Sequence, residues 1–286
     1  MAEIRLSRPE DEPRLRALWA AAFGDSGDYV DNYFRCYYKP ERMFVLEEAG
    51  QLCSMTAWFD TALCVPGQGT FRAAYLYAVA TAPHCRGEGK AGELLKAADR
   101  WFAQWSIPAV TTVPAEPSLH RFFEANGFRE CFTYTERRAD VSVTKLQSLD
   151  VPTMVPISPQ EYVAGREACL AESVHIAFPE DAMVYQMGAC ELTPDGGLYR
   201  VDTEAGTAYL CLEGMEDGRL LGKELLGPPR AQELVLRNLF QLLPSWCGVC
   251  RVPGEEIQFG MLKWLDPAMK RNWNWSRKGY LGLGFD

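Results

Sequence analysis

The amino-acid sequence predicts an α/β (α+β) fold in two domains, built on a mixed, mostly antiparallel sheet flanked by helices, with the second domain a degenerate copy of the first. The chain has 286 residues, 48% of them hydrophobic, which is enough to bury two separate cores. Helical and strand-like patterns follow one another as two helices, an antiparallel meander and one strand–loop–helix–strand crossover. A faint internal match between the two halves indicates a duplication.

Two helices are predicted at the start of the chain. Ser7 and Glu10 have the spacing of a capping box. The first helix is therefore predicted to start after Ser7 and to end before Gly24. Its apolar face would carry Leu15, Leu18, Trp19, Ala22 and Phe23. A second helical pattern covers residues 29–38 and ends before Pro40, which cannot continue it.

Strand-like segments follow at residues 43–48, 51–65 and 71–81, separated by Ala49-Gly50 and Pro66-Gly67. Turns this short predict antiparallel hairpins. The crossover comes next, as the loop CRGEGKAG (residues 85–92), a helix over 91–105, a strand over 109–113 and a short helix over 119–125 before Gly127.

The internal match appears when the sequence is shifted by 139 positions without a gap. Residues 110–116, VTTVPAE, then align with residues 249–255, VCRVPGE. This register predicts domains at residues 1–140 and 151–286. It also aligns residues 86–91 of the glycine loop with LLGPPR at 225–230, where two prolines remove backbone N–H donors. The second copy is therefore expected to lack a phosphate-binding loop.

Composition excludes several classes of protein. The formal net charge of −9 disfavours nucleic acid and anionic membranes as partners. No apolar run reaches about 18 residues and no signal-peptide pattern opens the chain, so we expect a cytoplasmic protein. The ten cysteines are scattered through both halves, which predicts reduced thiols without a disulfide framework. The sequence leaves the oligomeric state open.

The glycine loop fits three kinds of phosphate site, and its context separates them. Gly87, Gly89 and Gly92 match the dinucleotide fingerprint, but residues 107–113 lack the acidic residue that should bind the ribose. A P-loop needs Gly where His84 stands and Ser or Thr where Ala91 stands. The third interpretation is an Arg-x-x-Gly-x-Ala motif, which residues 86–91 fill.

This third motif resembles the acetyl-CoA signature of the GCN5-related N-acetyltransferases (GNAT family), here AVATAPHCRGEGKAGELL over residues 78–95. Small residues there let backbone N–H groups curl around a pyrophosphate at a helix start. The resemblance implies acetyl-CoA as co-substrate, no metal, and pantetheine binding along the preceding strand. The cofactor-binding residues it implies are Val79, Ala80, Thr81, Arg86, Gly87, Glu88, Gly89, Lys90, Ala91, Gly92 and Ser118.

The resemblance covers about residues 3–135, because SLHRFFEANGF at 118–128 is similar to a later segment of the same family. The arrangement resembles the tandem type of the enhanced-intracellular-survival acetyltransferases without their third domain. It implies an acyltransferase that acetylates an amine of a small molecule or peptide. The amine would attack the thioester directly, with the backbone amides near Val79 and Ala80 polarising the carbonyl.

The catalytic acid is the weak point of the resemblance. The family's usual tyrosine falls on Phe123, and a phenyl ring donates no proton. Candidate replacements are His120, Glu116 and Asp286. The position of Phe123 also keeps open a second interpretation, an acyl-CoA-binding sensor that turns over little or nothing.

One competing motif points to a different enzyme. Trp246-Cys-Gly-Val-Cys250 is similar to the thioredoxin active site and would make the chain a thiol-disulfide oxidoreductase. That chemistry needs a helix after the first cysteine to lower its pKa. Here the predicted helix, residues 231–243, comes before Cys247, so the redox function is the remote alternative.

Overall fold

The computed structural model describes residues 2–139, 152–243 and 245–285. It is an α+β structure, as predicted. The helices are α1 (Glu12–Phe23), α2 (Gly27–Cys36), α3 (Lys90–Gln104), α4 (Pro117–Ala125), α5 (Pro159–Leu170), α6 (Glu180–Cys190), α7 (Pro229–Leu242) and α8 (Pro267–Asn272). The strands are β1 (Ala2–Leu6), β2 (Met43–Glu48), β3 (Gln51–Val65), β4 (Gly69–Thr81), β5 (Ala109–Thr112), β6 (Arg129–Arg138), β7 (Thr153–Pro156), β8 (His175–Ala177), β9 (Gly197–Thr203), β10 (Gly206–Gly214), β11 (Leu220–Leu226), β12 (Trp246–Pro253) and β13 (Ile257–Trp264).

The chain divides into two compact units that are not consecutive segments. The first comprises Met1–Cys131, Phe259–Arg277 and Phe285–Asp286, and the second comprises Phe132–Gln258 and Lys278–Gly284. Each unit thus takes residues from the far side of the predicted boundary at residues 140–151, which itself lies outside the described residues.

The first unit has a sheet in the order β1-β2-β3-β4-β5-β13. Its pairs are antiparallel except β4 with β5, which is parallel. The last strand, β13, comes from far along the sequence and is fixed by Lys263, whose ammonium pairs with Asp99 of α3 and donates to the Asn126 carbonyl at 2.6 Å. Helix α3 buries Leu94, Leu95, Ala98 and Phe102, the side chains that its 3.6-residue period places on one face.

The second unit repeats this topology. Its strand order is β7-β9-β10-β11-β12-β6, again antiparallel except for the parallel pair β11 and β12. Here too the last strand is borrowed, because β6 comes from the first half of the sequence and pairs with β12 through Tyr134–Arg138. The core of this unit packs β9–β12 against α7.

The 139-residue register agrees with the position of the crossover helix in each unit. Helix α3 begins at Lys90 and α7 begins at Pro229, which is the predicted spacing. The loops before these helices differ, since residues 82–89 connect β4 to α3 while only Gly227 and Pro228 connect β11 to α7. The second unit has no room in that connection for a loop like CRGEGKAG.

Two details at the start of the chain differ from the sequence prediction. Strand β1 was not predicted, and it pairs with β2 in five registered positions. The cap of the first helix was also misplaced: the carboxylate of Asp11 accepts from the Arg8 N–H at 2.9 Å, while Ser7 Oγ donates to the Pro40 carbonyl at 3.0 Å. The capping box therefore closes a short 3₁₀ turn at Pro9–Asp11 before α1 starts.

The apolar stretch near residue 280 docks as a buried irregular segment. Within the described residues of the second unit, Gly279 and Tyr280 form single β-bridges. Leu281 and Leu283 are nevertheless fully buried. Among the described residues, no helix is long and apolar enough to cross a membrane.

A buried ion pair organises this part of the second unit. Arg166 Nε lies 3.0 Å from Glu224 Oε2, and both side chains are buried (1% and 0% exposed). The same guanidinium donates to the Leu281 carbonyl at 2.9 Å and to the Ile176 carbonyl at 2.7 Å, and Tyr162 donates to Glu224 at 2.9 Å. The pair is thus fully hydrogen-bonded, which a buried charge requires.

We expect Glu224→Gln to lower the free energy of unfolding by about 3 kcal/mol, because it removes the buried counter-charge of Arg166 and leaves only the partly exposed Glu167 at 3.5 Å. Urea unfolding followed by circular dichroism measures this change. Asp217→Asn, which breaks the exposed Arg219–Asp217 pair, serves as the control and should leave the midpoint unchanged. An unaltered midpoint for Glu224→Gln would show that the ion pair is dispensable.

Candidate functional site

The site is built where β4 separates from β5. The two strands pair in parallel from Ala73 opposite Ala109 to Leu76 opposite Thr112, and β4 then continues to Thr81 without β5 beside it. On its other side, the pairing of β4 with β3 shifts register between Met55 and Ala57. The bulge lies at Ala78, which has a φ of 50°, a value that a non-glycine residue adopts only when its surroundings impose it.

The glycine loop follows directly after β4. Cys85 is buried and its thiol approaches Cys53 Sγ of β3 at 2.7 Å, which fixes the base of the loop. Gly87 and Gly89 have φ values of 82° and 79°, and a Cβ atom at either position would meet no atom within 4 Å. The loop therefore presents bare backbone to open space, as a phosphate cradle requires.

Helix α3 starts at the end of this loop, and the N–H groups of its first turn have no intrahelical partners. Its positive end makes the site suitable for an anion. Arg86 is exposed and its Nε donates to the Thr81 carbonyl at 3.2 Å. Lys90, by contrast, pairs with Glu48 at 2.6 Å and lies 3.9 Å from Glu88, so its charge is already balanced and Arg86 is the better placed cation.

The other residues predicted to bind the cofactor fall into two groups. Val79, Ala80 and Thr81 form the end of β4, and Ser54 ties this end to β3 by bonding the Ala80 carbonyl at 2.9 Å and Thr81 Oγ1 at 2.6 Å. Ala91 and Gly92 lie in the first turn of α3. Ser118 lies apart from the loop in sequence, at the start of α4, where it bonds Glu116.

A cavity of about 260 Å³ opens beside the bulge. One side of it is lined by residues 76–79 of β4 and by residues 112–113 at the end of β5. Aromatic side chains form most of the wall, namely Trp19, Phe23, Tyr29, Tyr75, Tyr77 and Phe285. Phe285 is 1% exposed and its ring stacks on Tyr75 at 5.7 Å, while its N–H donates to Tyr75 Oη at 3.2 Å.

One charged group reaches this apolar cavity. Among the described residues that line it, Asp25 is the only one with a formal charge. Asp25 follows the left-handed Gly24 that ends α1, and its Oδ2 accepts the indole N–H of the buried Trp19 at 2.7 Å. That hydrogen bond holds the carboxylate at the cavity.

The cavity also contains phenolic hydroxyl groups. Tyr29 Oη and Tyr77 Oη are 3.2 Å apart, so one donates to the other. Phe123 lines the same cavity, is 4% exposed and packs on Phe128 at 5.5 Å. The position to which the sequence resemblance assigns the usual acid therefore lines this cavity, although the phenyl ring has no proton to donate.

The three catalytic candidates from sequence have other surroundings. His120 Nδ1 lies 2.5 Å from Glu130 Oε1, and Glu116 is exposed and accepts from Ser118 Oγ at 3.3 Å. Neither is among the residues that line the cavity. Asp286 lies outside the described residues. Their catalytic roles stay predictions without a supporting contact.

The cysteines of the competing motif lie on strand β12. Cys250 is fully buried, and this burial raises the pKa of its thiol. The attacking cysteine of such a motif would be Cys247, and its chemistry needs a helix that starts just after it. Strand β13 follows β12 instead, so the thiol-disulfide function lacks this helix.

Cys53, His84 and Cys85 could in principle bind a metal, since their ligand atoms lie within 4.8 Å of one another. Burial raises the pKa of the Cys85 thiol to about 11. Metal binding requires the thiolate, so this environment works against it. We assign these residues a packing role at the base of the glycine loop.

Sequence reasoning did not assign several residues of the cavity to the site, among them Trp19, Asp25, Tyr29 and Phe285. Trp19 was assigned only to the apolar face of α1, and Asp25 looked like an ordinary residue after a helix. Phe285 comes from a segment distant in sequence. The one local signal was Gly24-Asp25, in which a glycine ends a helix and leaves a carboxylate beside it.

Comparison with known proteins gives a match over the first part of the chain. Residues 3–130 match the family model of the acetyltransferase (GNAT) domain. This segment is similar to a GNAT domain. No curated protein matches the sequence.

Solved structures confirm the fold. A GCN5-related N-acetyltransferase from Anabaena variabilis superimposes with a TM-score of 0.69 at 14% identity, covering 93% of this chain and 73% of that one. One from Kribbella flavida gives a TM-score of 0.65 at 15% identity, covering 93% and 71%. Eis1 from Mycobacterium abscessus gives 0.65 at 15%, covering 93% and 74%. The predicted GNAT fold and the likeness to the tandem type are thus confirmed.

The loop makes a prediction about stability. We expect Gly89→Ala to lower the free energy of unfolding by about 1 kcal/mol, because alanine is strained at positive φ. Gly27→Ala is the matched control, since Gly27 lies in the first turn of α2 with open space around it and alanine favours the helix there. Thermal unfolding compares the two. Equal melting temperatures for both variants would contradict the strained geometry.

Proposed function

We propose that the protein is an acetyl-CoA-dependent N-acetyltransferase. The observation that carries this proposal is the continuity of two sites along β4. Ala78 at the bulge and the next residue, Val79, line the cavity. Two residues later, the Thr81 carbonyl accepts a hydrogen bond from Arg86 of the glycine loop. A ligand with a phosphate at one end and a reactive group at the other fits this layout.

In this proposal, the pyrophosphate of acetyl-CoA binds the N–H groups of residues 87–92 and the charge of Arg86. The pantetheine follows the end of β4, where the neighbouring strand β5 has ended, as an added strand would. The acetyl group then lies at the bulge. The N–H groups of Val79 and Ala80, the two residues after the bulge, are the proposed donors that polarise the carbonyl oxygen of the acetyl group.

The reaction proposed is direct transfer. The amine nitrogen of the acceptor attacks the thioester carbonyl carbon, a C–N bond forms and the C–S bond breaks. The nitrogen loses one proton, and the sulfur of CoA leaves as a thiolate that takes one proton. Two groups that handle protons are therefore needed beside the cavity, a base for the amine and a donor for the thiolate.

We assign the donor role to the hydrogen-bonded hydroxyls of Tyr29 and Tyr77. Both line the cavity, and each can donate once the other accepts. Phe123 cannot take this role, so the chemistry of the family's usual tyrosine would pass to neighbouring phenols. Tyr77 precedes the bulge residue Ala78 directly, which places its backbone next to the proposed position of the acetyl group.

The first unit is the catalytic one in this proposal, and the second is a degenerate copy. The short β11–α7 connection supports that assignment, because Pro228 and Pro229 replace the loop and supply no N–H donors.

Phe123 favours one alternative function, an acyl-CoA-binding sensor. Such a protein would bind acetyl-CoA at the same loop but acetylate no amine. Steady-state assays with a broad panel of amines separate the two functions, since turnover of any amine above the rate without enzyme identifies the transferase.

We expect Arg86→Glu to weaken acetyl-CoA binding at least about tenfold, a change of about 1.4 kcal/mol, because it places a carboxylate beside the pyrophosphate. Titration calorimetry measures the dissociation constant. Arg100→Glu is the control, since Arg100 is exposed on the same helix but far from its N-terminal end, and it should bind like the wild type. If NADH binds to the wild type and acetyl-CoA does not, the proposed function is wrong.

We expect Tyr77→Phe combined with Tyr29→Phe to lower kcat about 100-fold, the usual contribution of a general acid. The dissociation constant for acetyl-CoA should stay unchanged. Tyr38→Phe is the control, because Tyr38 bonds Ser7 and does not line the cavity. A double variant with the kcat of the wild type would place the proton donor elsewhere.

A further inference from the structure

We propose that the acceptor is a primary amine attached to an aromatic or bulky apolar group, recognised through the carboxylate of Asp25. This inference rests on the proposed function and goes beyond it by naming the class of acceptor. It follows from the shape, the lining and the single charge of the cavity beside the bulge.

The size of the cavity sets the first limit. About 260 Å³ lies just below the range of about 300–1,000 Å³ usual for small-molecule sites. Such a space accepts one ring with a short chain, and it does not accept an oligosaccharide or a folded peptide segment. The volume therefore limits the part of the acceptor that enters the cavity to one small group.

The lining sets the second limit. The walls are aromatic rings that already pack on one another: the Trp19 ring lies 5.4 Å from Tyr77, and the Phe285 ring 5.7 Å from Tyr75. A polar acceptor with many hydroxyl or ammonium groups would lose its hydration here and find few hydrogen-bonding side chains among the described lining residues, which costs free energy. An aromatic or aliphatic acceptor gains by burial and by ring contacts.

The charge sets the third limit. Asp25 supplies a carboxylate to a cavity whose other described lining residues are uncharged. It accepts one hydrogen bond from the Trp19 N–H and is exposed to water. An ammonium ion that binds this carboxylate loses one proton through it to water and then attacks the thioester as the neutral amine. The positive nitrogen formed by the attack loses a second proton by the same route, and the departing thiolate takes one proton from the tyrosine pair, so the transfer releases one proton to water.

The rings around Asp25 strengthen the preference for a cation. Ammonium groups bind favourably over the faces of tryptophan and tyrosine, and Trp19 and Tyr29 line the cavity together with Asp25. The single carboxylate of Asp25 can pair with one positive charge on the acceptor. A polyamine would bring further charges into apolar surroundings with no partner among the described lining residues.

The test compares acceptors that differ in the number of their amino groups and in the size of their apolar part. We expect kcat/KM for 2-phenylethylamine to exceed that for spermidine and kanamycin at least about tenfold, and that for methylamine by a similar factor. Asp25→Asn should lower kcat/KM for 2-phenylethylamine at least about tenfold without altering the dissociation constant for acetyl-CoA. This variant keeps an oxygen that can accept from Trp19, so folding is preserved. Asp28→Asn is the control, since Asp28 is an exposed carboxylate outside the cavity.

A binding measurement removes the dependence on turnover. In the presence of CoA, which has no acetyl group to transfer, calorimetry should detect 2-phenylethylamine binding to the wild type and a weaker complex with Asp25→Asn. A preference for spermidine or kanamycin, or an Asp25→Asn variant equal to the wild type, overturns this inference while the proposed function stands. Failure of acetyl-CoA itself to bind is the separate result that overturns the proposed function.

Discussion

The separation of β4 from β5 is the constraint on which the rest of the first unit depends. The strands pair as far as Leu76 and Thr112, and the bulge at Ala78 then turns β4 away. This departure does two things at once. It leaves the end of β4 without β5 beside it, where a CoA chain can add as a strand, and it opens the cavity that an acceptor needs. The strained φ of Ala78 is thus located where the chemistry is proposed.

The sequence predicted the local parts of this arrangement well. Helix α3, strands β2 and β3 and the glycine loop follow from periodicity, turns and the spacing of Arg86, Gly89 and Ala91, all of which are short-range signals. The exchange of β6 and β13 between the units was not predictable this way, since either strand would fit the edge of a sheet equally well by pattern. The cavity was missed for the same reason, because Phe285 reaches it from a segment remote in sequence.

The two units show what a duplicated fold keeps and what it loses. Strand order and the parallel central pair are the same in both, because they are set by the core that the strands and the crossover helix bury together. The glycine loop is not needed for that core. In the second unit, Gly227 and Pro228 connect β11 directly to α7. The strand order is therefore kept in this unit, while the glycine loop that would suit a pyrophosphate is lost.

The origin of β13 has a consequence for synthesis on the ribosome. Domains usually fold as units from the N-terminus while the chain emerges. The first unit cannot complete its sheet in this way, because the residues of β13 that pair with β5, 261–264, are translated only after nearly all of the second unit. Until then the open side of β5 exposes backbone groups that invite wrong strand pairing. Chaperone demand during translation should therefore be governed by the time needed to synthesise the intervening residues.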